Sequence, residues 1–232
     1  MITPVLNESD NLSEFLGKAS RFLESRFYDY EIILVDDGSI DGSAEVIKKY
    51  IFSNKRIVLL RGLINEGYGS AIRKGIDKAS KEFIFITDAD LQFDIENVDD
   101  FIKELPNCQI IAGFRIKRAD NRARIIAGFL WNKIVCAALR IKSKDINCAF
   151  KIFRTSLLKK MKLTSRGALI NAEIYFWAKK TGARIKELPV RHYKRTKGSQ
   201  TGLRPVVVLR AMRELIQFWF KNVFLVKFEK YS

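Results

Sequence analysis

The first half of the chain alternates short apolar runs with amphipathic segments. Residues 31–35, EIILV, are apolar after the first position, as in strands buried on both faces. RIVLL (56–60), FIFIT (83–87) and QIIAG (109–113) have the same character and predict three more strands. Between these runs the period changes. Leu12, Phe15, Leu16, Ala19, Phe22 and Leu23 fall at helical spacing behind a Ser9/Asp10 cap, which predicts a helix over residues 11–27. SAEVIKKYIF (43–52), GSAIRKGIDKAS (69–80) and ENVDDFIKEL (96–105) predict further helices. This rhythm implies an α/β domain: a parallel sheet flanked by helices, with ligand loops at the carboxyl ends of the strands.

After residue 114 the rhythm loosens. A basic loop (115–124) leads into a predicted helix, IIAGFLWNKIVCAALR (125–140). A strand, a helix and a strand follow around AFKIFR (149–154), NAEIYFWAKKTG (171–182) and RIKELPV (184–190). With no repeat, low-complexity tract or flexible linker, residues 1–202 read as one domain and residues 203–232 as a C-terminal helical segment. From Pro205 to Val226 the polar residues Arg210, Arg213, Glu214, Gln217 and Lys221 form one stripe on an otherwise apolar helix. Such a helix either packs on its own domain or a second subunit, or lies in a membrane interface. Spanning is disfavoured, because Arg210, Arg213 and Glu214 would each cost about 2.5–3.5 kcal/mol near the bilayer centre.

Charge sharpens the picture. Among 232 residues, 42 Lys and Arg face 26 Asp and Glu, a formal net charge of +16. That excess calls for an anionic partner: nucleic acid, a phosphorylated substrate or an anionic membrane surface. No nucleic-acid motif is present, and acidic loops argue against that partner. The basic residues concentrate in two stretches: five between 115 and 124 against Asp120 alone, and nine between 184 and 213 against Glu187 alone. The three cysteines have no metal-binding spacing, which points to a reducing, cytosolic compartment. MITPVLNESD has neither the basic nor the apolar region of a signal peptide.

The candidate chemistry sits where predicted strands end. In TDADLQFD (87–94), alternation sends Asp88 and Asp90 to one side, where they repel each other unless a cation lies between them. Carboxylates suit a hard cation such as Mg²⁺ or Mn²⁺, and Gln92 follows on the same side with an amide oxygen to add. VDDGSIDGS (35–43) places Asp36 and Asp37 at a second strand end; Ser39 or Asp41 caps the next helix, while the paired acids suit a nucleotide base or ribose. NEGYGSAIRKG (65–75) sets Gly67 and Gly69 before a helix, either as a plain turn or for close backbone approach to a nucleotide.

These segments, with TPVLNE (3–8), AGFR (112–115), DINCAFKIFR (145–154) and HYKRTKGSQTG (192–202), resemble glycosyltransferase family 2. Within it they are most similar to the dolichyl- and polyprenyl-phosphate sugar synthases, including dolichyl-phosphate mannosyltransferase. The resemblance implies a GT-A (Rossmann-like), mostly parallel sheet flanked by helices, with a C-terminal amphipathic helix. It implies a metal-dependent inverting transfer of a sugar, mannose or glucose, from a GDP- or UDP-linked donor to a polyisoprenyl phosphate. By position, Asp88, Asp90 and Gln92 become the metal and diphosphate site. Pro4, Asn7, Glu8, Asp36, Asp37, Gly67 and Ala89 line the nucleotide-sugar pocket, with Asp37 on the base. Arg115 and Arg124 hold the acceptor phosphate, and Arg195 lies on a mobile loop that closes over the diphosphate. A peripheral position on the cytoplasmic face of a membrane follows.

Three features depart from the family pattern. The chain begins almost at TPVLNE, so most of the family's first strand is missing. Gly128 stands where related enzymes often carry a phosphate-binding serine, and the loop reads GSQT rather than G-x-S-K. A phosphate monoester acceptor needs no general base, since its second pKa is about 6. A sugar-hydroxyl acceptor, as in glycan or polysaccharide synthesis, needs one; Asp145 and Glu173 are the candidates. His192, the single histidine, reads as a loop-positioning residue.

Overall fold

The computed structural model describes residues 1–198 and 205–225. Seven strands form one sheet: β1 (Ile2–Val5), β2 (Ile32–Asp36), β3 (Ile57–Arg61), β4 (Phe83–Thr87), β5 (Ile110–Ile116), β6 (Phe150–Arg154) and β7 (Ile185–Arg191). Their order across the sheet is β3-β2-β1-β4-β6-β5-β7. β1, β2, β3 and β4 pair in parallel, as do β5 and β7. β6 is the exception to the expected parallel sheet. It runs antiparallel between β4 and β5, with Phe83 opposite Arg154 and Thr87 opposite Phe150. Consequently the amino end of β6, not its carboxyl end, meets the carboxyl ends of the other strands.

The uniformly apolar EIILV run follows from burial on both faces. Ile32 and Leu34 pack on one side with Leu12, Phe15 and Leu16 of α1 (Ser9–Arg26) and Ile47 of α2 (Ser43–Ser53). Ile33 and Val35 pack on the other with Ala71, Ile72 and Ile76 of α3 (Tyr68–Lys78). Alternating side chains therefore both need to be apolar. The expected Ser9/Asp10 cap of α1 is not made. The Ser9 amide instead donates to Asp41 Oδ2 at 2.9 Å, so a carboxylate from the β2–α2 loop serves that helix end.

The helix predicted over 96–105 is shorter than expected. A 3₁₀ turn (Ile95–Asn97), with Asp94 accepting from the Glu96 amide, leads into α4 (Val98–Ile102). Pro106 disfavours helical backbone at Leu105 and offers no N–H to the Ile102 carbonyl. The chain leaves α4 through tighter bonds, Glu104 N–H to Phe101 O and Leu105 N–H to Ile102 O, both 3.1 Å. The second half adds α5 (Arg122–Leu139), the short α6 (Thr155–Leu158), α7 (Ile170–Lys180) and α8 (Pro205–Trp219). α8 ends in a π-helical turn (Phe220–Phe224); residue 226, the expected end of this helix, lies outside the described residues.

α8 packs on its own domain through one face. Leu215 and Phe218 are buried, and the Phe218 ring meets Phe176 of α7 edge-on at 5.1 Å. Each such burial is worth about 1.5–3 kcal/mol. The opposite face stays open, with Val206 71% and Leu209 68% exposed. Neighbouring α5 also presents apolar residues, Ile126 and Phe129 each being 58% exposed. Packing and an outward apolar face thus coexist on one helix. Among the described residues no helix is long and apolar enough to cross a membrane.

Candidate active site

A cleft of about 920 Å³ opens where the strands deliver their loops. Its walls come from the ends of β1, β2, β4, β5 and β7, the start of β6, and one face of α8. Three site loops turn through a left-handed residue that is not glycine: Asn7 (φ 56), Leu91 (φ 60) and Lys117 (φ 48). Such backbone costs of order 1–3 kcal/mol where it occurs, and it concentrates where loops must aim side chains.

The acidic centre lies at the end of β4. Asp88, Ala89 and Asp90 all line the cleft. Burial, and then repulsion from Asp90 and Glu8, lifts the Asp88 carboxyl to about 7. Asp90 is raised too, chiefly by burial, although the Gln92 amide at 3.1 Å and Arg195 oppose the rise. Gln92 lines the cleft, yet its side-chain amide nitrogen donates to the Tyr193 carbonyl at 3.0 Å. It ties the Asp88–Asp90 loop to the chain leaving β7. Arg195, on that same segment, reaches Glu8 at 2.6 Å and Asp90 at 3.5 Å. Residues 199–202 of its loop, including most of GSQT, lie outside the described residues.

On the nucleotide side, Pro4, Asn7, Glu8, Asp37, Gly67 and Ala89 border the cleft. Asp36 does not. Its fully buried carboxylate accepts from the Ser39 amide at 2.8 Å and faces Arg61 at 3.8 Å, behind the wall. Asp37 is engaged by backbone: Oδ1 accepts from the Glu66 amide and Oδ2 from the Gly67 amide at 2.7 Å. The close approach at Gly67 and Gly69 is made by the chain itself. A Cβ on Gly67 would lie 2.5 Å from the Arg166 carbonyl oxygen, and one on Gly69 would lie 2.6 Å from those of Ser165 and Gly167. The Gly69 amide also donates to the Arg166 carbonyl at 2.7 Å, so this turn of α3 is capped internally.

The basic side is built from pairs. Arg115 donates through Nε and Nη2 to Asp145 at 2.6 and 2.8 Å. Burial pushes the Asp145 carboxyl up, but the Arg115 hydrogen bonds and charge outweigh it, leaving Asp145 below the usual carboxylate range. Glu173 is fully buried and accepts from the Thr164 amide and hydroxyl and the Ser165 amide, at 2.8–3.0 Å. It holds the 164–165 loop and sits outside the cleft lining. Asp145 borders the cleft but is held by Arg115, and Glu173 lies outside it, so neither candidate base is poised for proton abstraction. His192 is buried against Phe93; among the described residues its Nδ1 makes no hydrogen bond and stands 3.9 Å from Asp120. Burial, then the charges of Arg115 and Arg118, lowers it to about 4, so it is neutral at pH 7.

Several lining groups escape a sequence reading. Arg118 and Asp120 meet beside Arg124, where Asp120 as the lone acid of a basic loop was the available signal. Val207, Val208 and Met212 of α8 border the cleft, a role that no helical period discloses. Lys151 lies buried on β6, its ammonium satisfied by the carbonyls of Ile146 and Cys148 and by Asn171 Oδ1.

The acidic centre suits a divalent cation. Among the described residues no three His, Cys, Asp or Glu side chains enclose an ion site. Asp88 and Asp90 instead offer a pair of oxygens beside open space, the partial shell that Mg²⁺-type ions complete with water and substrate phosphates. The elevated Asp88 carboxyl fits the same picture, since a cation would favour its ionised form.

Comparison with known proteins agrees with the fold. The chain is 31% identical over 215 residues to the undecaprenyl-phosphate 4-deoxy-4-formamido-L-arabinose transferase of Edwardsiella ictaluri, covering 90% of this chain and 64% of that protein. It is 29% identical over 206 residues to the dodecaprenyl-phosphate galacturonate synthase of Rhizobium johnstonii, covering 85% and 60%. The chain thus spans under two thirds of the length of these curated relatives. A crystal structure of glucosyl-3-phosphoglycerate synthase from Mycobacterium tuberculosis, in complex with Mn²⁺, uridine diphosphate and phosphoglyceric acid, superposes with a TM-score of 0.71 at 16% identity. That match covers 95% of this chain and 76% of the other, and it establishes the shared fold. The profile of Glycosyl transferase family 2 matches residues 1–166, and the chain belongs to that family.

Proposed function

We propose that the protein transfers a sugar from a nucleotide-sugar to a polyprenyl phosphate, with inversion at the anomeric carbon. The observation that carries this reading is the arrangement of one cleft with an acidic end, Asp88 and Asp90, and a basic end, Arg115, Arg118 and Arg124. Both named relatives act on a polyprenyl phosphate, which supports the acceptor class. They handle a formamido-arabinose and a galacturonate, so the mannose or glucose expected from the resemblance gains no support from them. The solved relative binds uridine diphosphate with Mn²⁺, which favours a UDP-linked donor over a GDP-linked one.

Asp88 and Asp90 would hold a Mg²⁺ or Mn²⁺ ion, which supplies positive charge against the diphosphate as it departs. Arg195 adds a fixed guanidinium at the same end, held 3.5 Å from Asp90. The nucleoside rests against Pro4, Asn7 and Asp37, with Ala89 on the floor. At the basic end, Arg115 and Arg124 orient a phosphate dianion that is already nucleophilic at neutral pH. No residue needs to remove a proton. That agrees with Asp145 and Glu173 both being committed to structural hydrogen bonds, and it weighs against a sugar-hydroxyl acceptor.

The exposed apolar faces of α5 and α8 flank the acceptor end. With the basic surplus they form the surface by which we place the protein on an anionic membrane. The test is a donor panel of UDP- and GDP-sugars, with Mn²⁺ and undecaprenyl phosphate in vesicles, read by mass spectrometry of the lipid. A lipid-linked sugar is the expected product. Transfer to an oligosaccharide hydroxyl instead would overturn the assignment.

A further inference from the structure

The basic end of the cleft holds a third arginine whose arrangement repeats that of Arg115. Arg118 donates to Asp120 Oδ2 through Nε at 3.1 Å and through Nη2 at 2.9 Å. Arg115 is held by Asp145 through the same two nitrogens. In both, Nη1 makes no hydrogen bond among the described residues, and both side chains line the cleft. Each guanidinium is fixed along one edge and offers the other.

Gly128 makes room for this. It sits on the first turns of α5 and borders the cleft, and a Cβ there would lie 3.1 Å from Arg118 Nη1. Any side chain at 128 would press on the one nitrogen of Arg118 that is uncommitted. The Asp120 side chain is 2% exposed and accepts from Arg118 while standing 3.4 Å from Arg124 Nε. One buried carboxylate therefore positions two arginines. Holding a guanidinium in place beforehand removes much of the ordering cost of anion binding.

We infer that Arg118 is a further phosphate-binding residue for the acceptor, positioned by Asp120 and admitted by the absence of a side chain at Gly128. The charge balance agrees. Arg115, Arg118 and Arg124 face Asp120 and Asp145, leaving the pocket net positive and able to take a dianion. This inference rests on the acceptor being a polyprenyl phosphate, and its test separates the two.

Titration calorimetry of the full chain with geranyl phosphate, and with geraniol as control, measures phosphate preference directly and needs no donor. Arg118→Ala should weaken geranyl phosphate binding by at least about tenfold, as loss of a charge-assisted hydrogen bond predicts. Geraniol binding should not change. Gly128→Ala should weaken geranyl phosphate in the same direction without lowering the melting temperature, because alanine favours a helix over glycine. That variant keeps every charge, so it probes the placement of Arg118 even if Arg118→Ala folds poorly. If the wild-type protein prefers the phosphate but both variants retain that preference in full, Arg118 is not a ligand. If the wild-type protein binds geraniol as tightly as its phosphate, the acceptor reading itself fails and this inference falls with it.

Discussion

Arg195 clasps Glu8 across the mouth of the cleft, with Nη2 2.6 and 2.7 Å from the two carboxylate oxygens. Both side chains are largely withdrawn from solvent, and Arg195 Nε also donates to the Lys197 carbonyl at 2.7 Å. The loop after β7 is thereby fastened to the loop after β1, with Nη1 facing Asp90. In the proposed reaction, a guanidinium held this way meets the departing diphosphate. Arg195→Ala should lower kcat about a hundredfold, the range seen when one preorganised charge-stabilising donor is lost. UDP affinity should change far less, and Arg195→Lys should fall between. Equal losses in kcat and in UDP binding would reduce Arg195 to a donor-binding group.

The acidic centre carries a pH signature. Asp88 is raised from 3.8 to about 7, so its protonated form favours the fold. That contribution is complete below about pH 4 and is lost as pH rises through about 7. In EDTA, the melting temperature of Asp88→Asn minus that of the wild-type protein should therefore increase from pH 4 to pH 8. At pH 7.5, Mn²⁺ with UDP should stabilise the wild-type protein and leave Asp88→Asn unmoved. Parallel pH curves, or equal stabilisation of both proteins, would remove Asp88 from the ion site.

Glu173 separates structure from catalysis. Its three hydrogen bonds predict that Glu173→Gln costs about 2–3 kcal/mol, a drop in Tm of roughly 5–10 °C, with turnover per folded molecule preserved. Lost turnover with unchanged Tm would instead restore it as a general base.

The reach of the sequence differs from element to element. FIFIT coincides with β4, since a strand buried on both faces is apolar throughout. AFKIFR reads as a strand from Phe150, Ile152 and Phe153 despite Lys151 between them, but period carries no direction, so the antiparallel course of β6 was not legible. Asp36, read with the other strand-end acids, lies behind the cleft wall, but Asp37, Asp88 and Asp90 announced the cleft. Their partners did not: Asp37 is engaged 29 and 30 positions away, and Arg115 meets Asp145 across 30. Gly67 and Gly69 read as a plain turn or as an approach to a nucleotide; the group that meets them is the backbone at 165–167, from a distant part of the chain.

The outward faces of α5 and α8 predict membrane binding without a loss of fold. Removing α8 outright would also strip Leu215 and Phe218 from the core. The informative variants are Leu209→Asp and Phe129→Asp, both on exposed positions. Each should reduce sedimentation with anionic liposomes several-fold, because a charge opposes insertion, while UDP binding stays within about twofold. Unchanged sedimentation would show that these faces do not meet lipid.

The acceptor assignment is tested most directly by one ratio: kcat/KM for a short polyprenyl phosphate against the same polyprenol, at saturating donor and Mn²⁺. The basic end of the cleft, with Asp145 and Glu173 both committed to hydrogen bonds, predicts a preference for the phosphate of at least about a thousandfold, because two or more charge-assisted contacts are lost with the alcohol. It should collapse in Arg124→Ala, whose guanidinium stands 3.4 Å from Asp120 in the same cluster. A polyprenol used as readily as its phosphate, or a preference that survives Arg124→Ala intact, would contradict the account.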